Sequence, residues 1–279
     1  MSVQPGISPA DEFEDDLQRT IYEYVERNGA VAPAELAGSI RIDAERPQSK
    51  PARSGEYTES VCPPAGDLES CLEDLKERGY LTESDGKVRV ALSGTATELD
   101  HSDGTVTIRP AREEDRDGVV ETMREVADGS TYIVADDVAT RLDRDSALVR
   151  ANGEVSRVFF TAVFDPESDG ETADGGASRV VGWVHVDAPE LPALRHTVEL
   201  TAGVDPEFRR NGIGSSLLEY GLEWATDAGY EKVYQNLPAT NEKAIEFLEE
   251  NGWQREGVHE GQYCIDGEYV DEVMLATWP

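Results

Sequence analysis

One continuous stretch constrains this chain more than any other: "HTVELTAGVDPEFRRNGIGSSLLEYGLEWA", residues 196–225. Val198, Leu200, Ala202 and Val204 alternate with Thr197, Glu199, Thr201 and Gly203, the two-residue period of a strand with two different faces. Past a short polar turn, Ile213, Leu217, Leu218, Leu222 and Ala225 recur at helical spacing and form one apolar face. "RRNGIG" therefore stands where a strand hands over to a helix N-terminus. The first N–H groups of a helix lack intrahelical partners, and the positive end of the helix dipole adds to them. Such a junction suits a pyrophosphate, and Gly212 and Gly214 let the backbone come close to it. A Rossmann fingerprint is excluded, because Leu217 occupies its third glycine position. A Walker A loop is excluded too, because Ser215 follows Gly214 with no lysine between.

An anion cradle is unexpected in a chain with 58 Asp plus Glu against 25 Lys plus Arg and a formal net charge of −33. The acidic clusters "DEFEDD", "REEDRDG" and "EFLEENG" are spread along the chain, so the charge belongs to the surface as a whole. A cradle built from backbone amides needs no positive net charge. An acidic surface of this kind is expected in a high-salt cytoplasm, such as that of a haloarchaeon, where the screening length falls to roughly 3 Å at 1 M salt. The alternative is a surface for binding partners. Cys62, Cys71 and Cys264 form no CxxC pair and no Cys/His cluster, so neither a disulfide framework nor a metal site is expected. The opening "MSVQPGISPADEFEDD" lacks the basic and apolar regions of a signal peptide. No apolar run approaches the ~20 residues that span a bilayer. A cytoplasmic protein without a membrane partner is expected.

Residues 12–92 read as helix, short helix, helix and a two-stranded hairpin turning at Asp85–Gly86. A Pro/Gly/Ser-rich interval, "RPQSKPARSGEYTESVCPPAGD", separates the second and third helices and reads as loop. The order, and the wording "ESCLEDLKERGYLTESDGKVRV", resemble a winged helix-turn-helix. Residues 93–104 read as a connector of small and polar residues. From 105 to 279 the predicted order is β-α-α-β-β-β-α-β-α-β-β, one domain on a mixed sheet. Within it, "DPESDGETADGGAS" reads as an acidic, Gly-rich hairpin loop.

Two motifs in this second part carry a resemblance. "VDPEFRRNGIGSSLLEYGLEWA" resembles the acyl-CoA motif of the GNAT N-acetyltransferases, Arg/Gln-x-x-Gly-x-Gly/Ala, with Arg209, Gly212 and Gly214 in register. "NEKAIEFLEENGW" resembles the second motif of that family, through Asn241, Ala244 and Gly252, with Trp253 as the aromatic. "TIRPAREED" resembles the start of the domain, and the resemblance spans residues 105–277. It implies an α/β (α+β) GNAT-like mixed sheet with flanking helices, preceded by a small winged-helix domain. It also implies acetyl-CoA as co-substrate, no metal, and an amine acceptor on a small molecule or protein. The pyrophosphate would sit on Arg209, Arg210, Asn211, Gly212, Ile213, Gly214 and Ser215, and the pantetheine arm along the strand at Ala202 and Val204. Asn241 would contact the cofactor, and it also reads as the N-cap of the helix that follows.

Acetyl transfer to an amine needs a base, and Glu199 is the candidate, a carboxylate on a strand otherwise free of charge. The other reading of Glu199 is an exposed strand residue in an acid-rich chain. His185 and His196 are secondary candidates. The family's usual acid is a tyrosine, and the matching position here is Leu248; Tyr234 and Tyr263 are substitutes that also read as packing residues, and unassisted departure of the thiolate is the alternative. In the first domain, the third helix sets Glu69, Glu73, Asp74 and Glu77 against Lys76 and Arg78, and the wing adds Lys87 and Arg89. That is a poor footprint for DNA, so a protein partner or homodimerisation competes with DNA as the role of this domain. An acyl-CoA-sensing regulator is the alternative to an enzyme.

Overall fold

Helical periodicity organises the N-terminal unit. The computed structural model describes residues 13, 15–43, 60–92, 94–127, 133–145, 147–151, 156–167, 177–189 and 191–279. Most of the Pro/Gly/Ser-rich interval and most of the acidic Gly-rich loop lie outside the described residues. α1 (Asp16–Asn28) is capped by the Asp15 carboxylate, which accepts from the Leu17 N–H. α2 (Pro33–Ser39) starts on a proline, whose fixed φ suits the first helical turn. A short bridge of β1 (Ile42–Asp43) and β2 (Ser60–Val61) precedes α3 (Ala65–Glu77). The hairpin of β3 (Leu81–Ser84) and β4 (Lys87–Val90) follows. Ile21, Tyr22, Leu36, Leu75 and Val88 are fully buried together, so these elements share one small core.

The second unit is a nine-stranded sheet. In chain order it uses β5 (Thr97–His101), β6 (Gly104–Pro110), α4 (Arg116–Ala127), α5 (Ile133–Leu142), β7 (Arg150–Ala151), β8 (Ser156–Pro166) and β9 (Arg179–Ala188). Then come β10 (Thr197–Val204), α6 (Ile213–Asp227), β11 (Lys232–Pro238), α7 (Glu242–Glu250), β12 (Gln254–Ile265) and β13 (Glu268–Thr277). The strands lie in the order β12-β13-β11-β10-β9-β8-β6-β5, with β7 on β8. All pairs are antiparallel except β10 and β11, whose crossover is α6. α6 and α7 cover one face through Leu217, Leu218, Ala225, Ile245 and Leu248. α4 and α5 cover the other through Val119, Met123, Val138 and Leu142. No helix among the described residues is long and apolar enough to cross a membrane.

The predicted element order holds across this unit with two corrections, the first being the two-residue strand β7, which the sequence reading lacked before β8. The connector read at 93–104 contains β5, which pairs with β6 from Thr97↔Ile108 to His101↔Gly104. Its Leu99 packs against the main core. Alternating Thr97, Leu99 and His101 followed by an Asp-Gly turn is a hairpin signal, outweighed in the sequence reading by small and polar residues around it.

The two units meet through charge. Arg150 Nε contacts Glu26 Oε1 of α1 at 2.7 Å, with the glutamate side chain 4% exposed. The same arginine reaches Asp145 at 3.2 Å, and Asp145 holds Arg157 at 2.9 Å. Arg89 of β4 pairs with Glu114 at 3.2 Å.

Candidate functional site

The site begins with a strand pair that parts. β10 and β11 are in register only at Thr197↔Lys232, Val198↔Val233 and Glu199↔Tyr234. β9 continues beside β10 as far as Val204↔Gly182, and β13 stays beside β11 as far as Pro238↔Glu272. Leu200–Val204 therefore has one backbone edge with no strand partner among the described residues. Backbone N–H and C=O groups on such an edge need partners from elsewhere. A cleft opens there, lined in part by Trp183, Thr201, Ala202, Gln235 and Asn241.

The "RRNGIG" turn stands at the end of β10. Asp205 begins it: its N–H bonds the Val181 carbonyl, and its carboxylate accepts from Glu207 N–H at 2.8 Å. Arg210 (φ 70°) and Gly212 (φ 80°) are both left-handed, which reverses the chain into α6. A Cβ at Gly212 would meet nothing within 4 Å, so the glycine is required for its φ rather than for room inside the protein. A Cβ at Gly214 would make ordinary contacts with Val204 and Phe247, so nothing in the fold itself demands glycine there. The Ser216 N–H bonds the Gly212 carbonyl across this boundary, and Gly212 provides no side-chain cap. The N–H groups of Ile213, Gly214 and Ser215 thus belong to the turn that a helix leaves unpaired. Arg209 is exposed, and its Nε donates to the Val204 carbonyl at 2.9 Å. Asn211 lies 3.3 Å from His101 of β5, whose ring packs on Phe208 and Phe164.

Asn241 closes the far side of the cleft. It occupies the N-cap position of α7, as read from the sequence, yet its side chain makes no capping hydrogen bond. The residue is 2% exposed, and its Nδ2 has no partner among the described residues. A buried amide that leaves its own helix uncapped faces the cleft as a donor to something else.

On the α4/α5 side of the sheet, the register sets Glu199 beside Asp187 of β9 and Tyr234 of β11. Burial raises the Glu199 pKa, Asp187 and Glu272 raise it further, and Arg141 opposes them. The Tyr234 hydroxyl is pushed up to about 12 by burial and by Glu199 and Asp187. Glu272 is buried and accepts from the Tyr263 hydroxyl at 2.7 Å, while His259 Nδ1 lies 2.9 Å from its other oxygen. Burial and the Glu272 carboxylate keep Tyr263 protonated far above neutrality. The structure thus gathers Glu199, Tyr234 and Tyr263 on one face and adds Asp187, Glu272 and Arg141, which the sequence did not single out. A charged residue sharing a strand face with Met274 and Ala276 on β13 is the available signal for Glu272.

The two histidines stand apart from this chemistry. His185 is buried, stacked on Phe159 at 4.6 Å and 3.2 Å from the Thr201 hydroxyl. Burial, Arg157 and Arg141 lower it to about 3, so it is neutral under ordinary conditions. His196 is exposed in the turn before β10, where its carbonyl receives the Glu231 and Lys232 N–H groups. Leu248 is 4% exposed and packs in the core under α7.

Residues 139–253 match the family model described as Acetyltransferase (GNAT) family. No curated protein matches the chain. Among solved structures, an acetyltransferase of the GNAT family from Streptococcus pneumoniae is similar at 19% identity and TM-score 0.47, covering 62% of this chain and 99% of that one. An N-acetyltransferase from Staphylococcus aureus aligns at 19% identity and TM-score 0.45, over 62% of this chain and 98% of the other. A phosphinothricin acetyltransferase from Sinorhizobium meliloti, in complex with AcCoA, aligns at 19% identity and TM-score 0.48, over 62% and 88%.

Proposed function

We propose, on the premise that residues 139–253 form a GNAT acetyltransferase domain, that this protein transfers an acetyl group from acetyl-CoA to a primary amine of a small molecule or protein. The observation that carries this reading is the orphaned Asn241 amide beside the unpaired edge of β10 and the uncapped start of α6. Asn241 shares the cleft with Ala202 on that edge, and Gly214 at the start of α6 lies near Val204 at its end, which suits an extended ligand with a phosphorylated end. Ile213, Gly214 and Ser215 would hold the pyrophosphate through backbone N–H groups, with Arg209, Arg210 and Asn211 at its margin. Ala202 and Val204 would pair with the arm through their backbone, and Asn241 would bond it from the opposite wall.

Acetyl-CoA, when bound, supplies the activated acyl carbon and a thiolate leaving group. Glu199 takes the proton from the acceptor ammonium, leaving the lone pair on nitrogen. Its raised pKa brings its basicity nearer to neutrality, where a general base works best. Leu248 has no proton to give, so Tyr234 and Tyr263, both held protonated on the Glu199 face, are the acids available to the departing group. The carboxylates of Glu199, Asp187 and Glu272 favour a cationic acceptor.

We further propose that the N-terminal unit is a winged helix-turn-helix used for contact with protein rather than DNA. Lys76 is paired with Glu83 and Arg78 with Asp74, and Arg89 is buried against Glu114, so these cations are engaged within the chain. Buried Leu248 at the usual acid position is the one feature that favours an acyl-CoA sensor over an enzyme. One assay separates the two readings. The full chain is incubated in high salt with acetyl-CoA and a panel of amines while free thiol is followed. Thiol release that depends on the amine is expected. Tight acetyl-CoA binding with no turnover on any amine would overturn the enzyme and leave the sensor.

A further inference from the structure

We propose that Trp183 is a ligand-binding residue of the cleft, its indole N–H held ready for a carbonyl oxygen of the acyl-thioester arm; this rests on the acyl-CoA reading above. Trp183 is 1% exposed, and its Nε1 has no hydrogen-bond partner among the described residues. An indole N–H can only donate, and buried donors in folded proteins are overwhelmingly partnered. Trp183 lines the same cleft as Ala202 and Asn241, whose Nδ2 is also an orphaned donor. Two buried donors in one cleft call for a guest rich in acceptors. The amide and thioester carbonyls of an acyl-CoA arm form such a series.

The ring has little freedom to turn away. It lies across Gly203, where an added Cβ would come within 2.1 Å of Cη2, so the glycine exists to admit the indole. Val126, Val134 and Ala135 line the cleft with apolar side chains, and the Gln235 and Asn241 amides that also line it accept no bond from the indole. The nearby Thr201 hydroxyl is engaged with His185.

The test follows indole N–H signals in the full chain labelled with ¹⁵N-tryptophan. Four signals are expected from four tryptophans, and Trp224→Phe, Trp253→Phe and Trp278→Phe assign the Trp183 signal by elimination. On saturation with acetyl-CoA, this signal should move downfield and exchange more slowly with water. If CoA without the acetyl group has the same effect, the acceptor is an amide carbonyl. If only acetyl-CoA has it, the acceptor is the thioester carbonyl, and either result supports the proposal. A Trp183 signal that stays in place, or keeps its transfer to water, while calorimetry shows acetyl-CoA bound would overturn the proposal and leave the functional reading intact. No acetyl-CoA binding at all would overturn the functional reading itself. Trp183→Phe keeps an aromatic ring without the donor and should weaken acetyl-CoA binding about five- to tenfold. Unchanged affinity in a folded Trp183→Phe protein would also overturn the proposal.

Discussion

Two regions that flank the open edge of β10, the turn into α6 and the Glu199 face, are built by different means. The cradle is made of backbone, from one short run of chain, and its geometry rests on the left-handed Arg210 and Gly212 and on the start of α6. The Glu199 face is made of side chains from five strands, with Glu199 on β10, Asp187 on β9, Tyr234 on β11, Tyr263 on β12 and Glu272 on β13. A backbone site brings its own donors and needs no positive net charge around it, which would let a chain of net charge −33 hold an anion there. A side-chain site feels nearby charge directly: burial raises the Glu199 pKa first, and the Asp187 and Glu272 carboxylates raise it further against Arg141.

This contrast predicts a graded set of effects. The largest is expected at Gly212. Gly212→Asp places a Cβ in a left-handed conformation and a negative charge against the anion, and should weaken acetyl-CoA binding by about 100-fold or more. Gly212→Asn, which tolerates that φ and carries no charge, should keep affinity within about tenfold by calorimetry. Equal losses in both variants would mean that shape alone governs the cradle.

Next comes Glu199→Gln, expected to lower kcat by about 100-fold while leaving acetyl-CoA affinity unchanged. The same variant should be more stable than the parent near neutral pH. A carboxyl whose folded pKa is raised contributes stability fully below its unfolded pKa and loses it as pH rises through the folded one. Ionised Glu199 is thus a burden at neutral pH, and the gain in Tm should vanish in acid. A variant that loses activity without gaining stability would place Glu199 in a better-solvated setting than the one described here.

Leu248→Tyr tests where the acid comes from. Because Leu248 packs in the core, the larger side chain should destabilise the fold by about 1–3 kcal/mol and give no rise in kcat. Faster turnover would return the acid role to α7. The smallest effect is expected from Asp187→Asn, which removes one of the charges that raise Glu199. The acid limb of the kcat/KM profile should move to lower pH, and a shift to higher pH would exclude Asp187 as the neighbour that matters.

The same contrast explains what could be read from the sequence. The cradle was legible because its parts are contiguous: alternation through Val204, two spaced glycines and an apolar helix face leave few other folds. Asn241 was legible as a motif residue, but its failure to cap α7 is a matter of orientation that no spacing reveals. The parting of β10 from β11 after Glu199 was out of reach, because strand pairing is settled by what both strands do with their other neighbours. Glu272 and Asp187 were hidden for a related reason. In a chain so rich in carboxylates, an acidic residue carries little information until the register places it beside another.

β5 has a practical consequence for dividing the molecule. His101 packs on Phe208 and reaches Asn211, so a strand read as a tether forms part of the wall of the cradle. A gene cut at residue 105 would strip an edge strand and a neighbour of the 209–214 turn from the C-terminal unit. Truncated versions should break before Thr97 if they are to keep the C-terminal unit whole.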